Sequence, residues 1–243
     1  QPKLDGVRCV IQAEGLPYQV GDSEWEFDVK AYSRTGKEWK NINHILQELV
    51  PFFDKHPDVI LDGELYNHDL KDDFEKIISL VRKTKPTNED RLESEEMVQF
   101  HCYDIINVHE VLNECTSYMG SIYKVDTIRV FNEDQAQVDH ARNLDSGYEG
   151  SILRTNDVYK CGRSWNLRKF KEFSDSEAML IDWVEGKGKR KGTIGKFKAV
   201  DEDGVVFGMP VMDNFAYLQE NFEYMKQWLG KTATFTYFER TKA

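Results

Sequence analysis

Residues 59–66 read Val-Ile-Leu-Asp-Gly-Glu-Leu-Tyr, and few folds accommodate such a stretch. Its apolar residues ask for a buried strand, while Asp62 and Glu64 place two carboxylates around Gly63 inside it. A buried carboxylate is costly unless it is paired, hydrogen-bonded or bound to a metal. Two carboxylates around a glycine are thus odd for a pure core strand. The alternative is a turn that leaves Asp62 and Glu64 in solvent.

Three other stretches carry comparable chemistry. Lys3-Leu-Asp5-Gly6-Val-Arg8 sets a lysine ahead of a Gly turn and an arginine, as a nucleophile with a cationic neighbour would be. A surface hairpin is the bland alternative. Tyr148-Glu149-Gly150-Ser-Ile-Leu-Arg154 repeats the order of a carboxylate, a glycine and an apolar strand, here ending in a base. A helix C-cap leading into a strand would look the same. In Leu167-Arg168-Lys169-Phe170-Lys171, alternation puts Lys169 and Lys171 on one face, which suits an anionic phosphate. A solvated edge strand protected by lysine is the alternative.

Periodicity places strands at residues 7–12, 29–34, 59–66, 97–106, 151–154 and 167–173. Turns are expected at 15–17 and 35–36. Helices are expected at 42–53, with Asn41 as N-cap, at 72–81, and after a short strand within 121–141. Short strands at 178–184, 196–200, 205–209 and 232–238, interrupted by a helix at 214–229, suggest a small barrel. The 243 residues suit one large and one small domain, divided near 173–175.

The net charge of −11 weighs against a nucleic-acid partner, but its distribution softens that. Residues 1–172 carry 22 Lys+Arg against 32 Asp+Glu, and residues 173–243 carry 10 against 11. Basic residues also cluster, at Arg163, Arg168, Lys169 and Lys171 and again at Lys187, Lys189, Arg190, Lys191, Lys196 and Lys198. Such local patches can hold phosphate on an acidic protein. Cys9, Cys102, Cys115 and Cys161 are scattered without a CxxC pair, so neither a zinc site nor a disulfide framework is indicated. No apolar run reaches membrane length, and a reducing, cytoplasmic setting is expected.

The order and spacing of these motifs together resemble the covalent nucleotidyltransferase superfamily, over nearly the whole chain. KxDGxR matches Lys3 to Arg8, a strand ending Ser-Arg matches Ser33-Arg34, and DGE matches Asp62 to Glu64. An aromatic strand matches Phe100 to Asp104, EGxxx(K/R) matches Glu149 to Arg154, and the paired lysines match Lys169 and Lys171. Within the superfamily the chain resembles the minimal ATP-dependent DNA ligases of bacteriophages and viruses. Asp62 and the Glu149-Gly150 pair separate it from RNA ligases and capping enzymes, respectively. RNA ligase is the runner-up, followed by a non-catalytic nucleic-acid-binding protein.

The resemblance implies an α+β adenylation (nucleotidyltransferase) domain of antiparallel sheets with flanking helices at 1–173. A small OB-fold β-barrel at 174–243 would follow, incomplete at its C-terminus. It implies ATP, Mg2+ or Mn2+, and a monomer that joins nicked duplex DNA in replication or repair. Lys3 would carry AMP, and Lys169 and Lys171 would hold the α-phosphate. Arg8 and Glu64 would lie on the ribose side, Tyr103 would stack on adenine, and the Gln1 backbone would meet the base. Glu149, with Glu64, would serve the metal. Arg34 would meet the nick 5′-phosphate, and Lys187, Lys189, Arg190 and Lys191 would touch the DNA backbone. Further sequence is expected on both sides of the chain.

Overall fold

A computed structural model describes residues 1–20, 24–106, 120–157, 159–162 and 164–237, without the side chains of 16–20 and 24–26. Arg163 and Cys115 lie outside the described residues, as do 238–243 at the end of the last expected strand. The chain divides into two compact units, Gln1–Lys171 and Glu172–Ala243.

The first unit contains two sheets. The larger has five strands in the order β3-β2-β4-β5-β6: β2 is Val7–Val20, β3 Glu24–Tyr32, β4 Ile60–Tyr66, β5 Gln99–Ile106 and β6 Ile122–Lys124. All neighbours are antiparallel except β5 and β6. The smaller sheet is antiparallel β1-β7-β8, formed by Pro2–Lys3, Gly150–Arg154 and Leu167–Phe170.

Strand alternation explains the larger sheet. Leu61 and Leu65 of β4, Cys9 and Ile11 of β2 and Phe100 and Cys102 of β5 are buried in one cluster. Helices α1 (Asn43–Lys55) and α2 (Phe74–Val81) complete it, supplying Ile45, Leu49, Phe52 and Phe53 and Ile77, Leu80 and Val81. Each fully buried Leu or Phe contributes about 1.5–3 kcal/mol relative to exposure. The opposite phase of β4 carries Asp62, Glu64 and Tyr66, so this stretch is a strand and not a solvent-exposed turn. In the pairing of β4 with β5 the register shifts so that Tyr103 is an extra residue, a bulge of the kind that re-aims a side chain.

Two local expectations need correction, and one helix was not anticipated. The chain does not turn at 15–17: β2 continues, and a register shift between Glu14 and Tyr18 absorbs the Gly-Leu-Pro irregularity. Asn41 does not cap α1, because Ile42 stands at that position and the buried Asn41 amide donates to the carbonyls of Leu80 and Asp90. Residues 88–97 form a helix, α3 (Asn88–Met97), that weak apolar periodicity concealed. A capping box between Thr87 and Asp90 starts it. A fourth helix, α4 (Glu133–Asp145), leads into β7.

The second unit is an antiparallel sheet in the order β11-β10-β9-β12, from Ser174–Glu185 (β9), Ile194–Val200 (β10), Val206–Pro210 (β11) and Thr232–Tyr237 (β12). Ala178, Leu180, Ile194, Phe197 and Ala199 pack against Leu218 and Met225. Those two come from α5 (Phe215–Glu220) and α6 (Phe222–Lys226), so the helix expected at 214–229 is broken at Asn221. Bulges in the β9–β10 pairing bend the sheet, and the rings of Phe207 and Phe235 meet at 4.9 Å. The expected closed barrel is not seen among the described residues, where β11 and β12 remain unpaired edges. No helix among the described residues is long and apolar enough to cross a membrane.

Candidate active site

Lys3, Glu149 and Lys171 meet where β1, β7 and β8 join. Lys3 ion-pairs with one oxygen of the Glu149 carboxylate and Lys171 with the other. The side chains are 11%, 16% and 18% exposed, so this is a shielded charge cluster. Register accounts for the meeting, since Lys3 pairs with Gly150 and Ser151 with Phe170. Gly150 is required for it. Its φ is 148°, and a Cβ there would strike the Phe170 carbonyl. Gly6 has a related role, because a Cβ would collide with the Leu65 carbonyl and the Glu64 side chain as the Lys3 segment crosses β4. The nearby Asp5 carboxyl is raised by burial, an effect opposed by Lys171.

The larger sheet supplies a second cluster. Arg8 grips Asp62 with two hydrogen bonds, Nε to Oδ1 and Nη2 to Oδ2, each 2.9 Å. Tyr159 joins them: its hydroxyl donates to Asp62 Oδ2 at 2.7 Å and accepts from Arg8 Nη2 at 2.6 Å. Glu64 stands opposite Arg8 in the β2–β4 register. Its carboxyl is pushed up to about 8, first by burial and then by the Asp62 charge, against the pull of Arg8 and Lys169. Burial also raises the Tyr103 and Tyr159 hydroxyls, with Asp62 adding to both.

The remaining expected residues belong to both units. Tyr103 is half-buried, with the Arg154 guanidinium 5.4 Å from its ring centre. Arg154 donates to Asp104 at 2.5 Å, so it is not a free strand-end charge. The Gln1 amide donates to the Tyr103 carbonyl and the Thr127 hydroxyl, while the Gln1 carbonyl accepts from Ile152 N–H. Lys169 is exposed on β8 and reaches Glu64 only by its field, so the two lysines do not share one partner. Arg34 is exposed in the turn after β3. Lys187, Lys189, Arg190 and Lys191 sit on an exposed 3-10 turn of the second unit, where Arg190 donates to the Val211 carbonyl.

Sequence reasoning missed two groups. Tyr159 lies in an irregular loop with no periodicity to mark it. The buried set of His140 and Asn143 on α4, both bonded to the Ser151 hydroxyl, supports β7 from behind, and His140 stacks on Phe170. A cavity of about 310 Å³ beside β1 touches Gln1, Pro2, Leu4, His101 and Tyr123 but not Lys3, Glu149 or Lys171.

The profile of the ATP dependent DNA ligase domain matches residues 1–171, the whole first unit. The chain belongs to the ATP-dependent DNA ligase family. It is 32% identical over 213 residues to the DNA ligase of African swine fever virus (isolate Tick/South Africa/Pretoriuskop Pr4/1996), covering 80% of this chain and 46% of that relative. It is 24% identical over 229 residues to the DNA ligase of Enterobacteria phage T4, covering 74% of this chain and 45% of the relative. The chain thus spans about half the length of these ligases. A solved Lig E DNA ligase shares its fold, with a TM-score of 0.70 and 21% identity over 99% of this chain and 86% of that one.

Proposed function

We propose that this chain is the catalytic part of a DNA ligase that uses ATP to seal 5′-phosphate/3′-hydroxyl nicks in duplex DNA. The carrying observation is the convergence of Lys3 and Lys171 on Glu149. Lys3 Nζ, once it has lost its proton, attacks the α-phosphorus of ATP. An N–P bond forms and the bond to pyrophosphate breaks, leaving lysyl-AMP. The second ammonium, that of Lys171 on the same carboxylate, faces the phosphate charge. AMP then passes to the nick 5′-phosphate, and the 3′-hydroxyl displaces it. Arg8 and Glu64 are assigned to the ribose, Tyr103 and the Gln1 backbone to the adenine, and Lys169 to the phosphates.

Glu149, with Glu64, has the oxygen donors that Mg2+ or Mn2+ takes. Among the described residues no group of three or more His, Cys, Asp or Glu could hold an ion alone. Mg2+ is commonly held by one or two carboxylates together with substrate phosphates. When bound it neutralises phosphate charge.

The curled sheet of the second unit, its Phe207–Phe235 contact and its basic turn support reading it as an oligonucleotide-binding barrel. Arg34 is assigned to the nick 5′-phosphate, and Lys187, Lys189, Arg190 and Lys191 to the DNA backbone.

Intact-mass measurement after incubation with ATP and magnesium tests the first step. An AMP adduct, absent from Lys3→Ala, is expected, and no adduct on the wild-type chain sinks the reading. Sealing of a nicked DNA duplex beside its all-RNA counterpart tests the substrate. Preference for RNA would move the assignment to RNA joining.

A further inference from the structure

The loop between β7 and β8 is exposed at residues 155–157 and 160–162, yet Tyr159 turns inward from it. Its hydroxyl closes a ring of hydrogen bonds with Arg8 and Asp62 across 151 and 97 positions of sequence. Every contact in that ring is assigned. Asp62 Oδ1 accepts from Arg8 Nε and, at 3.4 Å, from the Tyr103 hydroxyl, and Oδ2 accepts from Arg8 Nη2 and Tyr159. The carboxylate is therefore saturated, and its side chain is 4% exposed. Both N–H groups of Arg8 Nη2 are spent, one on Asp62 and one on Tyr159, as is the one on Nε. Among the described residues, what the ring leaves over is the Nη1 end of a guanidinium that remains 36% exposed.

A guanidinium held only by Asp62 could still pivot with its partner. The Tyr159 hydroxyl supplies the further contact that fixes its plane, and it comes from the loop joining β7 to β8, not from β2 or β4. A planar donor fixed this way gains directional selectivity that a mobile cation lacks. The facing residue across β2–β4 is Glu64. A fixed pair of N–H donors beside a carboxyl group matches a sugar hydroxyl, which both accepts and donates.

We propose that Tyr159 is a positioning residue that locks Arg8 so that its Nη1 end reads a ribose hydroxyl of the bound nucleotide. This rests on the reading that the chain uses ATP. The ring predicts that the hydroxyl of Tyr159, not its aromatic bulk, sets both affinity and sugar selectivity.

Calorimetry with ATP, 2′-deoxyATP and 3′-deoxyATP on the full chain tests this, for wild type, Tyr159→Phe and Tyr159→Ala. Wild type is expected to bind at least one deoxy analogue more weakly than ATP. Tyr159→Phe should weaken ATP about tenfold, the scale of one charge-assisted hydrogen bond. It should leave that deoxy analogue nearly unchanged, and Tyr159→Ala should match it. In lysyl-AMP formation the Phe variant should raise KM with little change in kcat. The proposal is overturned by Phe behaving as wild type while Ala fails, which is packing by the ring, or by Phe weakening ATP and both analogues alike. Arg8→Lys keeps the charge without the fork and should lose the same selectivity, with no further loss in the Arg8→Lys/Tyr159→Phe double variant. An additive double loss also overturns it. Wild type that binds ATP with ribose selectivity but forms no adduct refutes the lysyl-AMP step and leaves this inference standing. Wild type that does not bind ATP overturns both.

Discussion

Lys3 and Lys171 share one carboxylate: each ammonium ion-pairs with a different oxygen of Glu149. Two cations on one shielded anion leave the cluster with net positive charge, which suits it to phosphate. Glu149→Gln keeps the shape and removes the charge. It is expected to slow AMP-adduct formation on the order of 100-fold. Adduct accumulation followed by intact mass at fixed ATP measures this, and a rate within a factor of two of wild type would show that the carboxylate is dispensable.

His101 gives the fold an acid-sensitive element. Its ring stacks on Tyr123, meets Tyr66 edge-on and bonds to Gln99. Burial first, and the His68 charge second, depress it to about 4. The unfolded chain binds its proton near the ordinary histidine value, so stability is present above about 6.5 and is lost as pH falls through 4. The penalty reaches on the order of 3 kcal/mol. His101→Gln should flatten urea-unfolding stability between pH 6.5 and 4, and an unchanged slope would place the acid sensitivity elsewhere.

Gly150 occupies a conformation that a Cβ opposes twice, by its φ of 148° and by the Phe170 carbonyl. Gly150→Ala should cost about 2 kcal/mol or more. Thermal unfolding would register this as a lowered Tm, and an unaltered Tm would mean that β7 and β8 separate without cost.

Lys187, Lys189 and Lys191 are exposed on the basic turn of the second unit. Replacing all three with alanine should weaken binding to nicked duplex uniformly across sequences. It should also reduce the slope of log K against log salt by about 0.9 for each phosphate no longer neutralised. Arg190 is left intact in this test because it also braces Val211. Titrations at several salt concentrations would decide; an unaltered slope would remove the turn from the DNA surface.

Much of the first unit was legible because alternation in β2, β4 and β5 is strong. Leu61 and Leu65 face one side while Asp62 and Glu64 face the other, as the pattern in 59–66 requires. The α3 helix was not legible, since its sequence Asn-Glu-Asp-Arg-Leu-Glu-Ser-Glu-Glu-Met is polar nearly all round and its start depends on a capping box. The turn expected at 15–17 failed for the opposite reason: Gly15 and Pro17 are compatible with a bulged strand as well as with a hairpin.

The sequence by itself determined the chemical inventory: a lysine nucleophile candidate, the carboxylates around Gly63, the Glu149-Gly150 pair and the lysines at 169 and 171. It also determined that Asp62 and Glu64 share a strand face, because alternation is local and written into the chain. Only the tertiary structure decided their partners. It gave Glu149 to both Lys3 and Lys171, spent Asp62 on Arg8, and brought Tyr159 from a featureless loop to complete that pair. The physical reason is that periodicity fixes the direction of a side chain, whereas its partner depends on which distant strands close into a sheet. That closure is set by the packing of the whole core rather than by any single segment.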